Sequence, residues 1–378
     1  MGKRFLIVHL VSNGDCLMMT AVARQIKQDN PGCHLTWAIG YKCKQVIENN
    51  PDIDHIWKVH YSEDENPYNE VWKRTRVEAE KKRQAGEFDE IIYSQIYPDN
   101  SLNFDGTTRS STFRSIKFPV RDVTPIIRLH EFEIKRVEDF AKKYELKKYK
   151  HVVLCECAPG SGQSFMTATL MKELTELIAK EMDDAVFIIS SHLKIESNNK
   201  RIIDGSQLSF RENAELSKYC NLLIGCSSGI SWLLTSNWAK KINTVQFLAS
   251  DDRPFAFASI AYDFKNWGLT TDHIIESDNN YKMEMKQIII SALSDFSLAK
   301  RNFDQEFKPS SKAIETFIYN INLPISLRSL ALLIRCADNF FKRNSIKTNR
   351  VFLFFFVCKI KGMRALKFLH RKILFKKS

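Results

Sequence analysis

An apolar run over residues 5–11, broken only by His9, ends in the turn Ser12-Asn13-Gly14-Asp15. Leu17, Met18, Ala21, Val22 and Ile26 then recur at helical spacing until Pro31-Gly32. A strand with no polar alternation is buried on both faces, as in a parallel sheet, and a tight turn into an amphipathic helix opens a Rossmann-like unit. Residues 35–39 read as a second strand, 42–49 as a short helix, 55–59 as a third strand and 91–96 as another. Residues 62–84 read as a loop and an exposed helix, and the Ser-, Thr- and Asn-rich stretch 98–117 as a long surface loop.

The pattern then restarts. A charged helix over 131–146 and the lysines Lys147, Lys148 and Lys150 lead to a strand at 151–157, the turn Ala158-Pro159-Gly160-Ser161-Gly162 and a helix at 169–180. Strands at 185–190, 221–224 and 244–249 alternate with helices at 211–219 and 230–238, the last of these strands closing the series. Two such runs in 378 residues predict an α/β chain with two Rossmann-like domains of mainly parallel sheet, residues 1–148 and 149–321, followed by a tail, 322–378. Ligands of such sheets collect at the carboxyl ends of the strands, which directs attention to the turns.

The net charge of +12 invites a polyanion as partner, but its distribution redirects that inference. Residues 322–378 carry 14 Lys and Arg against one acid, Asp338, so the body is close to neutral. A nucleic-acid groove through the fold is therefore not expected. The nine cysteines show no C-x-x-C and no Cys/His spacing suited to zinc, so reduced thiols in a cytosolic protein are expected. Cys155 and Cys157 flank Glu156 on one face of a strand and read as buried core. The opening MGKRFLIVHL reads as a first strand rather than a signal peptide, and no window reaches the ~18 apolar residues of a spanning helix.

Three turns can carry chemistry. Asp15, placed by Gly14 between a strand's end and a helix's start, suits a general base, although its position alone favours the plainer reading of an N-cap. The segment Gly225-Cys226-Ser227-Ser228-Gly229-Ile230-Ser231 offers small residues, hydroxyls and free helix-start amides to a phosphate, though it lacks the lysine of a Walker loop, and a Ser-rich cap without ligand remains open. Gly160-Ser161-Gly162-Gln163-Ser164 is a third candidate, or a flexible connection.

Taken together, HLVSNGDCLMMTAVARQIKQDNP, HLTWAI, ENNPDIDHIW, CAPGSGQSF and LSFRENAELSKYCNLLIGCSSGISWLL resemble, in order and spacing, the lipopolysaccharide heptosyltransferases of glycosyltransferase family 9, over roughly residues 3–250. The resemblance implies the GT-B fold, two Rossmann-like domains facing across a cleft, and inverting, metal-independent transfer from a nucleotide-activated sugar. It implies that Asp15 is the catalytic base. Ser227, Ser228, Gly229, Ile230 and Ser231 would hold the donor diphosphate, Ser161 would lie in the first loop of that site, and Ser191 and His192 near the nucleoside. The chain departs from the family with Ser227 in place of Asp, Trp232 in place of His, and no Lys near Ser164, which puts the heptose donor in question. A non-catalytic scaffold that keeps the fold and a nucleotide-sugar epimerase are the alternatives.

In the tail, Leu327, Leu330, Ile334, Ala337 and Phe341 recur at steps of three and four, and the run 351–357 precedes apolar residues interleaved with Lys and Arg. Basic, Phe-rich amphipathic helices lie in membrane interfaces, so the expectation is a cytoplasmic protein held on the inner face of the membrane, near a glycan or lipid-linked acceptor. The plainer alternative is that the first of these helices packs on the domains.

Overall fold

The computed structural model describes residues 2–107, 109–157, 160, 162–249, 259–321 and 326–375, with side chains as far as residue 362. The first sheet contains β1 (Arg4–Val8), β2 (His34–Gly40), β3 (His55–Val59) and β4 (Glu90–Tyr93) in the order β3-β2-β1-β4, every pair parallel. Along β1, Phe5 and Ile7 face α1 (Asn13–Asp29), while Leu6 and Val8 face α2 (Glu70–Gln84), which is why the run has no polar alternation. The helix α2 is accordingly not the exposed element expected, because Val71, Trp72, Thr75 and Ala79 bury one side of it on the sheet.

The stretch read as a surface loop is largely interior. It contains α3 (Arg109–Phe113), every residue of which is buried. Polar side chains survive there by satisfying one another: Asp105 Oδ1 accepts the Thr107 hydroxyl at 2.6 Å and the Ser111 hydroxyl at 2.8 Å. Composition alone therefore misplaced it. The helix α4 (Glu131–Lys143) then leads to the second sheet.

That sheet has six parallel strands, β5 (His151–Glu156), β6 (Ala185–Ser190), β7 (Ile202–Asp204), β8 (Leu222–Gly225), β9 (Asn243–Phe247) and β10 (Ile274–Ser277), in the order β10-β9-β8-β5-β6-β7. The expected closing strand is thus not the last, since β10 pairs beyond it. The helices are α5 (Ala168–Ala179), α6 (Glu212–Leu216), α7 (Gly229–Leu233), α8 (Ile260–Asn266), α9 (Lys282–Ser294) and α10 (Phe296–Phe303). All nine cysteines are free, and Cys155 and Cys157 pack with Met171 and Leu174 of α5, as their spacing predicts.

Two parallel α/β sheets of this kind match the fold class read from the alternation. The halves meet where α1 packs on α7, α4 on α6 and α3 on α8. Arg211 joins them: its guanidinium is buried, bonds both carboxylate oxygens of Glu133 at 2.9 Å, and donates to the carbonyls of Gln45 at 3.0 Å, Arg128 at 2.5 Å and Glu48. A buried guanidinium is tolerated because all its donors find acceptors.

Beyond the second sheet lie α11 (Ser311–Asn320), α12 (Leu327–Arg343) and α13 (Arg350–Phe375). The buried face of α12 is Leu333, Cys336, Ala337, Phe340 and Phe341, whereas Leu327, expected on that stripe, is 87% exposed. The plainer alternative holds for α12, which packs on the first half through Phe104.

Candidate active site

Asp15 lies in the first turn of α1, whose N-cap position is taken by Ser12. Ser12 has φ 70°, a left-handed conformation that a non-glycine residue adopts at a cost, and this sharp turn redirects the chain from β1 into the helix. The Asp15 side chain is half-buried. Burial pushes its pKa up to about 7, against the opposing pull of a hydrogen bond from Ser12. Tyr68 stands 3.2 Å from Ser12, hydroxyl to hydroxyl, and burial, followed by the charge of Asp15, raises its own pKa to about 12. A carboxylate poised near neutrality beside hydroxyl donors is suited to removing a proton from an alcohol at physiological pH.

The structure brings this turn to the second half. A Cβ built on Gly14 would lie 3.4 Å from Cδ1 of Trp232, so the residue before Asp15 touches the ring that follows Ser231. Trp232 in turn carries the Arg109 guanidinium 4.8 Å from its ring centroid, and Arg109 is also 3.2 Å from Asp263, both side chains buried. The base candidate and the Ser227–Ser231 segment therefore belong to one place, although they are separated by more than two hundred residues. Arg109, hidden within a serine-rich stretch, gave no signal in the sequence.

The Ser227–Ser231 turn mirrors the first one. Ser227 has φ 51°, and Gly225 leaves no room for a side chain, since a Cβ there would sit 2.3 Å from Nε2 of Gln246 and 2.5 Å from Oγ of Ser231. Its amides, however, are already engaged. Glu156, at the carboxyl end of β5 and 3% exposed, accepts N–H groups from Ile230 at 2.7 Å, Cys226 and Ser231 at 3.2 Å and Ser228 at 3.3 Å, and the Ser231 hydroxyl at 2.5 Å. The Ser227 amide goes to Gln246 Oε1 at 2.7 Å. An internal carboxylate thus fills the anion cradle that the sequence pattern offered to a phosphate. The outer rim, Ser228 and Gly229, is half-buried, Ile230 packs against the apolar cluster that contains Val137, Phe140 and Leu216, and Ser227 and Ser231 are buried.

Ser191 and His192 follow β6 on the same carboxyl edge, His192 exposed and Ser191 half-buried with its hydroxyl accepting the Leu193 amide at 3.2 Å. Ser161 lies outside the described residues. Ser164 caps the local turn by accepting the Met166 amide at 3.1 Å. His9, at the end of β1, is buried neutral: desolvation lowers its pKa to about 4, and Nδ1 is 2.9 Å from Ser94 Oγ. A separate groove of about 650 Å³ between the end of α4 and β7, lined in part by Lys143, Tyr149, Lys172 and Asp204, contains none of the residues singled out from the sequence. Among the described residues no cluster of three or more His, Cys, Asp or Glu is placed to hold a metal ion.

No protein-family model matches the sequence, and no curated protein does. Solved structures do. A family 9 glycosyltransferase from Veillonella parvula matches at 15% identity and TM-score 0.48 over 79% of this chain and 94% of that one. The ADP-heptose lipopolysaccharide heptosyltransferase II of E. coli matches at 9% identity and TM-score 0.49 over 78% and 99%. A UDP-N-acetylglucosamine 2-epimerase, described as putative, from Listeria monocytogenes matches at 10% identity and TM-score 0.48 over 92% and 99%.

Proposed function

We propose that the chain is an inverting glycosyltransferase that moves a sugar from a nucleotide-sugar donor to a glycan or lipid-linked acceptor in bacterial surface-polysaccharide assembly. The observation that carries this reading is Asp15, half-buried with its pKa raised to about 7, on a strained turn one residue from the contact with α7. Asp15 takes the proton of the acceptor hydroxyl as that oxygen attacks the anomeric carbon. The bond from that carbon to the diphosphate oxygen breaks on the opposite face, the configuration inverts, and a nucleoside diphosphate leaves. In this reading the leaving diphosphate is met at the outer rim, by Ser228, Gly229 and the neighbouring edge at Ser191, outside the amides held by Glu156, and by protein donors rather than by a metal ion.

Thermal unfolding against a panel of nucleotide sugars tests the proposal, because a ligand bound only by the folded chain must raise Tm. A second reading, a non-catalytic scaffold of the same fold, draws support from the filled cradle at Glu156. Stabilisation by a nucleotide sugar with release of the nucleoside diphosphate in the presence of acceptor favours the transferase; no stabilisation by any nucleotide favours the scaffold.

A further inference from the structure

The basic tail divides into an inward and an outward face. Phe104 stacks on Phe317 of α11 at 4.0 Å, and Leu353, Val357 and Ile360 of α13 are buried in the same cluster. Polar contacts fasten it to the first half: Leu102 O accepts from Arg343 Nη1 at 2.7 Å and from Asn339 Nδ2 at 3.2 Å, and Asp105 O accepts from Asn344 Nδ2 at 3.0 Å. The tail is therefore a packed helical unit gripping residues 102–105, the segment that leads directly into α3 and Arg109.

Among the described residues nothing comparable covers the face of α13 opposite Leu353 and Val357. Val351 and Phe355, four residues apart, are 66% and 64% exposed, and Phe354 beside them is 44% exposed. Lys347, Arg350 and Lys359 are exposed around this face, and from residue 350 to 375 the helix carries seven Lys and Arg and no acid. Exposed aromatic residues on such a surface require a covering partner. A second copy of this chain would bring another tail with 14 bases and one acid against the first, and a nucleic acid would leave the aromatic rings in water. An anionic bilayer surface satisfies both features, with acyl chains for the rings and phosphates for the bases. No helix among the described residues is long and apolar enough to cross a membrane, so the element would lie on the surface.

We propose that α13 docks on an anionic lipid bilayer with Val351, Phe354 and Phe355 below the headgroups and Lys347, Arg350 and Lys359 among them. Through the grip on residues 102–105, this docking holds the half that bears Asp15 in a fixed attitude to the bilayer. The inference goes beyond the transferase reading and does not depend on it.

The test is co-sedimentation of the full chain with vesicles of phosphatidylcholine alone or mixed with phosphatidylglycerol. The full chain should pellet with the mixed vesicles, less so at high salt, and weakly with phosphatidylcholine alone. The double substitution Phe354→Ser, Phe355→Ser should weaken binding by at least about tenfold without lowering Tm, since neither ring is in the packed cluster. The pair Arg350→Gln, Lys359→Gln should weaken it separately and flatten its salt dependence. Failure of the full chain to bind the mixed vesicles, or undiminished binding by both double variants, would overturn the proposal, as would phenylalanine variants that only abolish self-association.

Discussion

The Ser231 hydroxyl donates to the Glu156 carboxylate at 2.5 Å, on the same oxygen that the Cys226 and Ser228 amides approach at 3.2 and 3.3 Å. The start of α7 is thereby neutralised from within, by a side chain on the central strand β5. A turn of glycine and serine has strained backbone and converging amides, and a buried carboxylate keeps them converging when no ligand is present.

Glu156→Ala should lower stability in denaturant unfolding, since a buried amide left without an acceptor costs about 1–3 kcal/mol. It should also convert the turn into a true anion site. Inorganic phosphate should then raise the Tm of Glu156→Ala by more than that of the wild type, and equal responses would show that the amides do not remain convergent without the carboxylate.

Asp15 links the site to stability through its charge. Its folded pKa of about 7 lies above the ordinary value of 3.8, so the folded state holds a proton that the unfolded state gives up. Stability is fullest below pH ~4 on this account and declines as pH rises towards 7. Asp15→Asn should therefore raise Tm at pH 8 and change it little at pH 4, as read by thermal melts at the two pH values.

Arg211 and Glu133 form the buried pair between the halves, with three backbone carbonyls completing the guanidinium's partners. Arg211→Ala should destabilise the chain by about 3–5 kcal/mol, because Glu133 and those carbonyls lose their donors together. Arg211→Lys should recover little of this, since an ammonium cannot serve the same fork of five donors. Urea unfolding of the two variants reads both.

Gly225 and Gly160 give opposite expectations from the same substitution. At Gly225 an added methyl would sit 2.3 Å from Gln246 and 2.5 Å from Ser231, so Gly225→Ala should cost about 1–3 kcal/mol and weaken any ligand held by the turn. At Gly160 none of the described residues lies within 4 Å of an added methyl, and Gly160→Ala should leave Tm nearly unchanged.

Much of the fold was legible because strands buried on both faces read as unbroken apolar runs, as in β1, β5 and β6. The strand β10 escaped notice because it is four residues long and carries Glu276, whose buried carboxylate binds the amides of Ile260 and Ala261 at 2.7 and 3.0 Å. The segment 98–117 misled because its polar groups pair with one another, which composition does not reveal. At the site, Asp15 was legible from the strand-turn-helix pattern. The role of Glu156 was not, since its partners lie 70 or more residues away in the chain and only the pairing of β5 with β8 brings them together. Arg109 was hidden for the same reason, its neighbours Trp232 and Asp263 coming from the other half.

The account rests on Asp15 as the base of a glycosyl transfer, and the most direct measurement is the pH dependence of nucleoside diphosphate release with the stabilising nucleotide sugar and an acceptor. Wild-type kcat/KM should rise with pH and level off above about 7, where the carboxylate is ionised, and Asp15→Asn should lose about 10²–10⁴ of the rate while remaining folded. Wild-type turnover and an unaltered pH profile in Asp15→Asn would contradict it.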